Sequence, residues 1–287
     1  MSQLIVRSAR PMPLWDAVSP RRMVSNLWRY RELIHQLTVR ETVAMHRGTN
    51  LGMAWLVAEP LLRLGVYTFI FAIVLGFRWT SMKGTDSRVE YALTLFCGIV
   101  IFGVLGTSLG RAPTLVTSKP NFVRKVVFPL EILPLAVVGS ALFYALIGVL
   151  VLMAGVLLAT GRVSPTAYMF PLVLVPLALL SLGVSWLLAS LGVFIRDVNQ
   201  VVQVFVQQVL FLMTPIFYPI DIVPEHLRFW LMLNPLAEIV QDARRTLIWG
   251  EQPHWRALGL VTLASIGMLL FGYAWFVKTR RGFADVL

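Results

Sequence analysis

Charge is what this chain lacks most. Only 14% of its 287 residues are Asp, Glu, Lys or Arg, against about 25% in soluble domains. A surface so poor in ionised groups cannot stay hydrated around so much apolar material, which excludes a water-soluble globule. Cysteine is nearly absent as well. The single Cys97 lies inside an apolar run, so an internal disulfide and a multi-cysteine metal site are both excluded. No G-x-x-x-x-G-K-[ST] occurs to cradle ATP phosphates, no G-x-G-x-x-G follows a strand, and no H-E-x-x-H is found. The four histidines, His35, His46, His226 and His254, are too scattered for metal or triad chemistry, which needs convergence. There is no internal repeat. No apolar stretch of signal-peptide type sits among the first fifty residues, so no cleavable export signal is expected.

What is present is length in oil. Hydrophobic residues make up 57% of the chain and the mean hydropathy is +0.76. A span needs about 20 mostly apolar residues to cross about 30 Å of hydrocarbon. Six candidates meet that need, over residues 51–77, 91–110, 126–160, 167–195, 198–220 and 257–277. The fold class expected is therefore an all-α integral membrane protein with six transmembrane helices. Residues 1–50 form an N-terminal segment and 51–287 a transmembrane domain. Only Arg196-Asp197 separates the fourth and fifth runs; a tight turn fits better there than one helix of great length.

The net charge of +11 sits in connections and termini rather than in the apolar runs. That placement fits cytoplasmic loops facing anionic headgroups and argues against nucleic-acid binding. Eight arginines precede residue 48, and the loop at 111–125 holds four basic residues and no acidic one. Both termini are therefore expected in the cytoplasm. Residues 24–47 place Leu27, Tyr30, Leu33, Ile34 and Leu37 at helical spacing among charged neighbours, which predicts an amphipathic helix at the membrane surface. Between the fifth and sixth spans, Pro219, Pro224, Pro235 and Pro253 punctuate two apolar stretches, 222–233 and 236–249. Each is too short to cross, so an external re-entrant or interfacial hairpin is expected.

Glu59 and Arg63 are four apart in the first span, the spacing that lets side chains meet on one helix face. They form either a self-neutralising pair buried between helices or groups facing a watery path. Tyr67 and Phe71 are four apart in the same span, while Phe211 and Tyr218 are seven apart in the fifth. Each pair shares a face. Such rings either pack on helices and lipid or stack against the apolar faces of sugars. Gly106 and Gly110 form a G-x-x-x-G that would suit close helix packing. No residue set assembles an intramembrane active site.

Short strings in a fixed order then carry a family likeness. Arg47-Gly-Thr-Asn-Leu-Gly-Met-Ala-Trp55 with Glu59-Pro60 resembles the start of the first span of ABC-2 type export permeases. Lys125-Val-Val-Phe-Pro129 with Glu131 and Pro134 is similar to the segment after that family's cytoplasmic coupling helix. Arg196-Asp197, Pro215, Tyr218-Pro219, Asn234-Pro235-Leu236, Arg244, Arg245, Gly250, Pro253 and Phe283-Ala-Asp285 follow in the family's order. Among its members the polysaccharide exporters (O-antigen, teichoic acid and capsule permeases) are the nearest match, over nearly the whole chain from about residue 25.

The resemblance implies a homodimer in the bacterial inner membrane that exports a lipid-linked polysaccharide. The chain itself would bind no cofactor; ATP and Mg would be handled by a separate ABC ATPase subunit. Pro120, Asn121, Phe122, Val123 and Arg124 would be the coupling helix touching that subunit. Arg29, Arg31, Arg40 and Arg47 of the interface helix would guide the lipid pyrophosphate. Tyr67, Phe71, Phe211 and Tyr218 become candidate rings along the path, and Trp230 and Asn234 candidates for an external gate. An ABC-2 exporter of small drugs or lipids shares this topology and stays open as an alternative. A membrane-embedded glycosyl- or acyltransferase is the more distant one, for which Glu59 and Glu131 lack a supporting cluster.

Overall fold

A computed structural model describes residues 20–44, 51–76, 87–120 and 128–286. Every regular element among the described residues is helical. Helices α1 (Pro20–Arg29) and α2 (Arg31–Ala44) replace the single amphipathic helix expected over 24–47; the chain turns at Tyr30 between them. Helix α3 (Trp55–Tyr67) continues as a wider π-helical stretch over Thr68–Val74. Next come α4 (Ser87–Arg111), α5 (Ile132–Thr160) and α6 (Phe170–Phe194). Helix α7 (Val198–Met213) is the shorter apolar helix that follows. A helical hairpin follows, α8 (Glu225–Met232) and α9 (Pro235–Arg244), the latter extended by a π turn over Arg245–Trp249. Last are α10 (Trp255–Thr279) and the short α11 (Phe283–Val286).

Four helical stretches are long and apolar enough to cross a membrane: Arg88–Thr114, Ile132–Thr160, Ala167–Phe194 and Trp255–Val286. They coincide with the second, third, fourth and sixth candidate spans. Local chemistry explains where their ends differ from expectation. The third begins at Ile132 rather than near residue 126, because Phe128 and Pro129 are non-helical and Pro134 falls in the first turn, where its missing N–H costs nothing. It ends on Gly161, whose φ of 72° only glycine adopts cheaply. Between α6 and α7 the chain turns extended at Ile195 (φ −126°, ψ 106°), so the two apolar runs are separate helices, as the Arg196-Asp197 pair suggested. Helix α7 stops at Met213 instead of residue 220, since Thr214 precedes Pro215 and is driven extended (φ −86°, ψ 128°).

Helices α6 and α10 form the closest seam. A Cβ placed on Gly272 would lie 2.0 Å from the Gly183 carbonyl oxygen, and one on Gly183 would lie 2.6 Å from the Met268 carbonyl. Small residues letting backbones approach is the general device of helix association in lipid. The G-x-x-x-G over Gly106 and Gly110 is not used this way. A Cβ on Gly106 would meet only the Phe102 ring of its own helix, and one on Gly110 only Gln203 at 3.6 Å. Next to the α6–α10 seam, Trp186, Tyr273, Phe276 and Phe283 are fully or almost fully buried, and the Trp186 indole donates to the Glu131 carbonyl at 2.9 Å.

Candidate functional site

The break after α7 is where the sequence's rings meet. Tyr67 at the end of α3, Phe71 on the π-helical stretch after it and Phe211 on α7 all pack on Phe217, with ring centroids 5.9, 5.0 and 5.0 Å away respectively. Phe102 of α4 extends the group, 4.9 Å from Phe211. Three of the four candidate rings therefore share one cluster. Tyr218 borders it, and its hydroxyl donates to the Leu212 carbonyl at 2.9 Å, covering a free carbonyl at the end of α7.

Phe217 itself was not singled out from the sequence; of the groups that hold it, Arg244 and Pro215 stood there only as links in the family's ordered strings. Three successive carbonyls of the non-helical break are each clamped. Arg244 donates to the oxygens of Pro215 (2.9 Å) and Ile216 (2.8 Å), and the Tyr91 hydroxyl donates to that of Phe217 (2.7 Å). The same guanidinium reaches Thr94 O on α4 at 3.1 Å. Arg244 is wholly buried, and its planar fork suits several carbonyls at once in a way a lysine cannot match. Room for it comes from Gly98, where a Cβ would fall 2.9 Å from the Arg244 Nη2 atom. In sequence Arg244 stood as one residue of the family likeness and as an arginine inside a Pro-bounded apolar stretch, with no sign of its burial.

Asn234, expected at the gate, has a structural part as well. Its Oδ1 accepts from the Leu236 N–H, capping α9, and its Nδ2 donates to Thr214 Oγ1 at 3.1 Å. Trp230 stands 61% exposed beside Phe229 on α8, together with Met232 and Leu233. Behind them, Glu238 lies 3.4 Å from His254 Nδ1, and Asp242 accepts from the His254 backbone N–H at 2.8 Å. Burial raises the pKa of both carboxyls; Asp242 adds to the rise of Glu238, and His254 opposes it in each.

Glu59 and Arg63 do pair, at 2.6 Å. Both side chains are about half exposed, and they line a cavity of about 150 Å³ between α3, α4 and α5 together with Trp55, Thr107 and Tyr144. Within this single chain the pair is not fully buried; it lies on a cavity wall.

At the end of α4 opposite the rings, Glu41 of α2 accepts from Arg111 and, at 2.7 Å, from Lys119. Burial works against its ionisation, but these two cations prevail and hold its pKa below the ordinary value. This bridge ties α2 to both sides of the 111–120 segment. Pro120 is exposed; Asn121, Phe122, Val123 and Arg124 lie outside the described residues, as does Arg47. Arg29, Arg31 and Arg40 are exposed on α1 and α2, Arg31 lying 5.4 Å over the Trp28 ring. Among the described residues, no three His, Cys, Asp or Glu side chains gather as metal ligands.

The profile of the ABC-2 type transporter family matches residues 32–247. The O-antigen export system permease protein RfbA of Myxococcus xanthus is 26% identical over 269 residues, covering 92% of this chain and 98% of the relative. A protein of the same description from Klebsiella pneumoniae is 25% identical, over 93% of this chain and 99% of its own length. The polysialic acid transport protein KpsM of Escherichia coli is 21% identical, over 86% of this chain and 93% of its own.

Proposed function

The chain belongs to the ABC-2 type transporter family, and we propose that it is the membrane subunit of an exporter moving a lipid-linked polysaccharide, of O-antigen or capsule type, across the bacterial inner membrane. The observation that carries this reading is the end-to-end correspondence with permeases described as O-antigen exporters. The chain performs no chemistry itself. ATP and Mg are bound and consumed by a separate ABC ATPase subunit, and a second copy of this chain completes the path.

In this reading six helices span, α3 and α7 with the four long ones, and both termini face the cytoplasm. The segment 120–124 receives movement from the ATPase. The Glu41 bridge shares that movement with α2, so the interface helices and the coupling segment shift together. Rings are suited to a polymer with many hydroxyls. An aromatic face stacks on the apolar side of a sugar ring yet forms no hydrogen bond that would hold it, so the chain can slide. The Tyr67, Phe71, Phe211 and Phe217 group supplies that wall, and Tyr218, Trp230 and the α8–α9 hairpin lie toward the outer exit.

The test is reconstitution of this chain with its ATPase subunit in proteoliposomes that contain the lipid-linked polymer. ATP-dependent appearance of polymer, scored by a lectin confined to the receiving side, is expected. Transport of a drug or phospholipid with no movement of polymer would contradict the cargo; polymer movement without the ATPase would contradict the coupling. Phe122→Ala combined with Arg124→Ala should keep the membrane subunit folded but abolish ATP-driven export. Unchanged export in that variant removes the assignment of 120–124.

A further inference from the structure

An open groove of about 670 Å³ runs between α2, α5 and α6, away from the ring cluster and from the cavity at Glu59. Its walls are Val39 and Val43 of α2, Leu142, Phe143 and Leu146 of α5, and Val175 of α6, among others. Thr38 and Thr42 also face it, but their hydroxyls donate to the Ile34 and Thr38 carbonyls of their own helix, at 2.8 and 2.9 Å. With those hydroxyls spent, the groove offers almost nothing to water. Val39, Val43, Phe143, Leu146 and Val175 all remain more than 40% exposed, so none of the described residues fills it.

The position of the groove fixes what environment surrounds it. Helix α2 climbs beside α5 rather than crossing it. Thr38 rests on Gly139, where a Cβ would come within 3.0 Å, and the Thr42 carbonyl accepts from the Tyr144 hydroxyl at 2.9 Å. With 29 residues, α5 is about 44 Å long, well beyond the hydrocarbon thickness of about 30 Å. On the topology proposed above, its first turns stand in the cytoplasmic headgroup layer, and the walls beyond Gly139 enter the acyl region.

The mouth of the groove is cationic. Arg31, His35, Thr38 and Thr42 follow one face of α2 at steps of three or four, so Arg31 and His35 sit just below the apolar walls. Arg31 lies against Trp28, which is 68% exposed, a residue type that settles at headgroup level. Of the two acids on α2, Glu41 is engaged by Arg111 and Lys119, which leaves Glu32 as the one exposed negative charge.

We propose that this groove is a binding site for one anionic phospholipid of the cytoplasmic leaflet, with an acyl chain along Val39, Val43, Leu142 and Leu146 and its phosphate between Arg31 and His35. An apolar slot beginning at headgroup depth, with the Arg31 guanidinium and the His35 ring N–H groups at its mouth, matches such a molecule and no polar one. The lipid would fill the space behind α2 and so brace the helix that Glu41 links to the coupling segment.

The test uses the full-length chain in phosphatidylcholine nanodiscs with a trace of phosphatidylglycerol carrying a photoreactive acyl chain, and maps adducts by mass spectrometry. Adducts are expected to concentrate at residues 39–43 and 142–146. Unlabelled phosphatidylglycerol should compete and added phosphatidylcholine should not. Arg31→Glu with His35→Glu should lower the yield by at least about five-fold, the scale expected when one fixed cation near an anionic headgroup is lost. Ala178→Trp, which fills the groove from α6, should displace the adducts without changing the elution profile; the competition arms need no variant. Labelling spread evenly over all helices, or equal competition by phosphatidylcholine, would mark ordinary surrounding lipid and overturn the site. Stronger competition by an isoprenoid phosphate would assign the groove to cargo instead. Absence of labelling would mean that polypeptide covers it.

Discussion

Arg244 and Gly98 meet in one contact, and the two can be perturbed from opposite sides. Removing the guanidinium with Arg244→Ala strips donors from the carbonyls of Thr94, Pro215 and Ile216. Breaking a buried charged group's network typically costs about 3–5 kcal/mol. Adding a methyl with Gly98→Ala places a carbon 2.9 Å from Nη2 and 3.1 Å from Ile216 Cγ2. Overpacking of that kind costs about 1–3 kcal/mol. If Gly98 exists to admit the guanidinium, the second cost must largely vanish once the guanidinium is gone. The double variant should then be no less stable than Arg244→Ala alone, a coupling of about 1–2 kcal/mol between residues in contact. The assay is thermal unfolding of the detergent-solubilised chain, followed by the surviving monodisperse fraction on size exclusion. With roughly 2–4 °C per kcal/mol for a chain of this size, Arg244→Ala should drop the midpoint by about 6–20 °C. Gly98→Ala should drop it only in the wild-type background. Simple additivity of the two effects would refute the clamp, and so would an Arg244→Lys variant as stable as wild type, because an ammonium cannot fork across three carbonyls.

Other expected outcomes follow from the same structure. Phe217→Leu keeps the volume apolar but removes the ring on which Tyr67, Phe71 and Phe211 converge; polymer export should fall several-fold while ATP hydrolysis persists, and unaltered export would remove this ring from the path. Glu41→Gln releases Arg111 and Lys119; polymer moved per ATP should decline at unchanged protein level, with partial recovery in Glu41→Asp, and an unchanged ratio would show the bridge to be structural only. Glu238 has a raised pKa, so its contribution to stability is complete below about pH 4, its unfolded range, and is lost as pH rises through the raised folded value. Glu238→Gln should therefore raise the unfolding midpoint at pH 7.5 and leave it unchanged at pH 4; an equal effect at both would contradict the assignment. Gly272→Ala forces a methyl to within 2.0 Å of the Gly183 carbonyl oxygen and should lower the yield of folded protein sharply, whereas Gly267→Ala, in open space on the same helix, should not.

Helix existence was legible because apolar length is a strong signal. The four long apolar helices appear where hydropathy placed them, and the extended Ile195 divides α6 from α7 where two charges suggested a turn. Boundaries were less legible, because backbone chemistry overrides hydropathy. Thr214-Pro215 ends α7 while the apolar run continues to Ile220, and Tyr30 interrupts a continuous amphipathic pattern. At the candidate site, ring spacing gave two pairs, but spacing on one helix says nothing of what another helix brings to it. Phe217 sits in a non-helical break where no periodicity exists to mark it. Arg244 reads as one more loop cation until the fold carries it 0% exposed into the chain. Gly106 and Gly110 show the converse, a motif present without the packing, while the seam that glycine does make, Gly183 against Gly272, joins helices far apart in sequence.

That seam has a bearing on how substitutions should sort. With backbone against backbone at Gly183 and Gly272, α6 and α10 have no side-chain cushion to yield there, so they behave as a fixed post from which the lighter α3, α7 and the α8–α9 hairpin hang. Damage to the post should abolish delivery of every cargo alike. Damage to the hanging parts should discriminate, sparing some polymers and blocking others. A family of such permeases could then change what it carries by rewriting rings and hairpins, with the glycine joint left untouched.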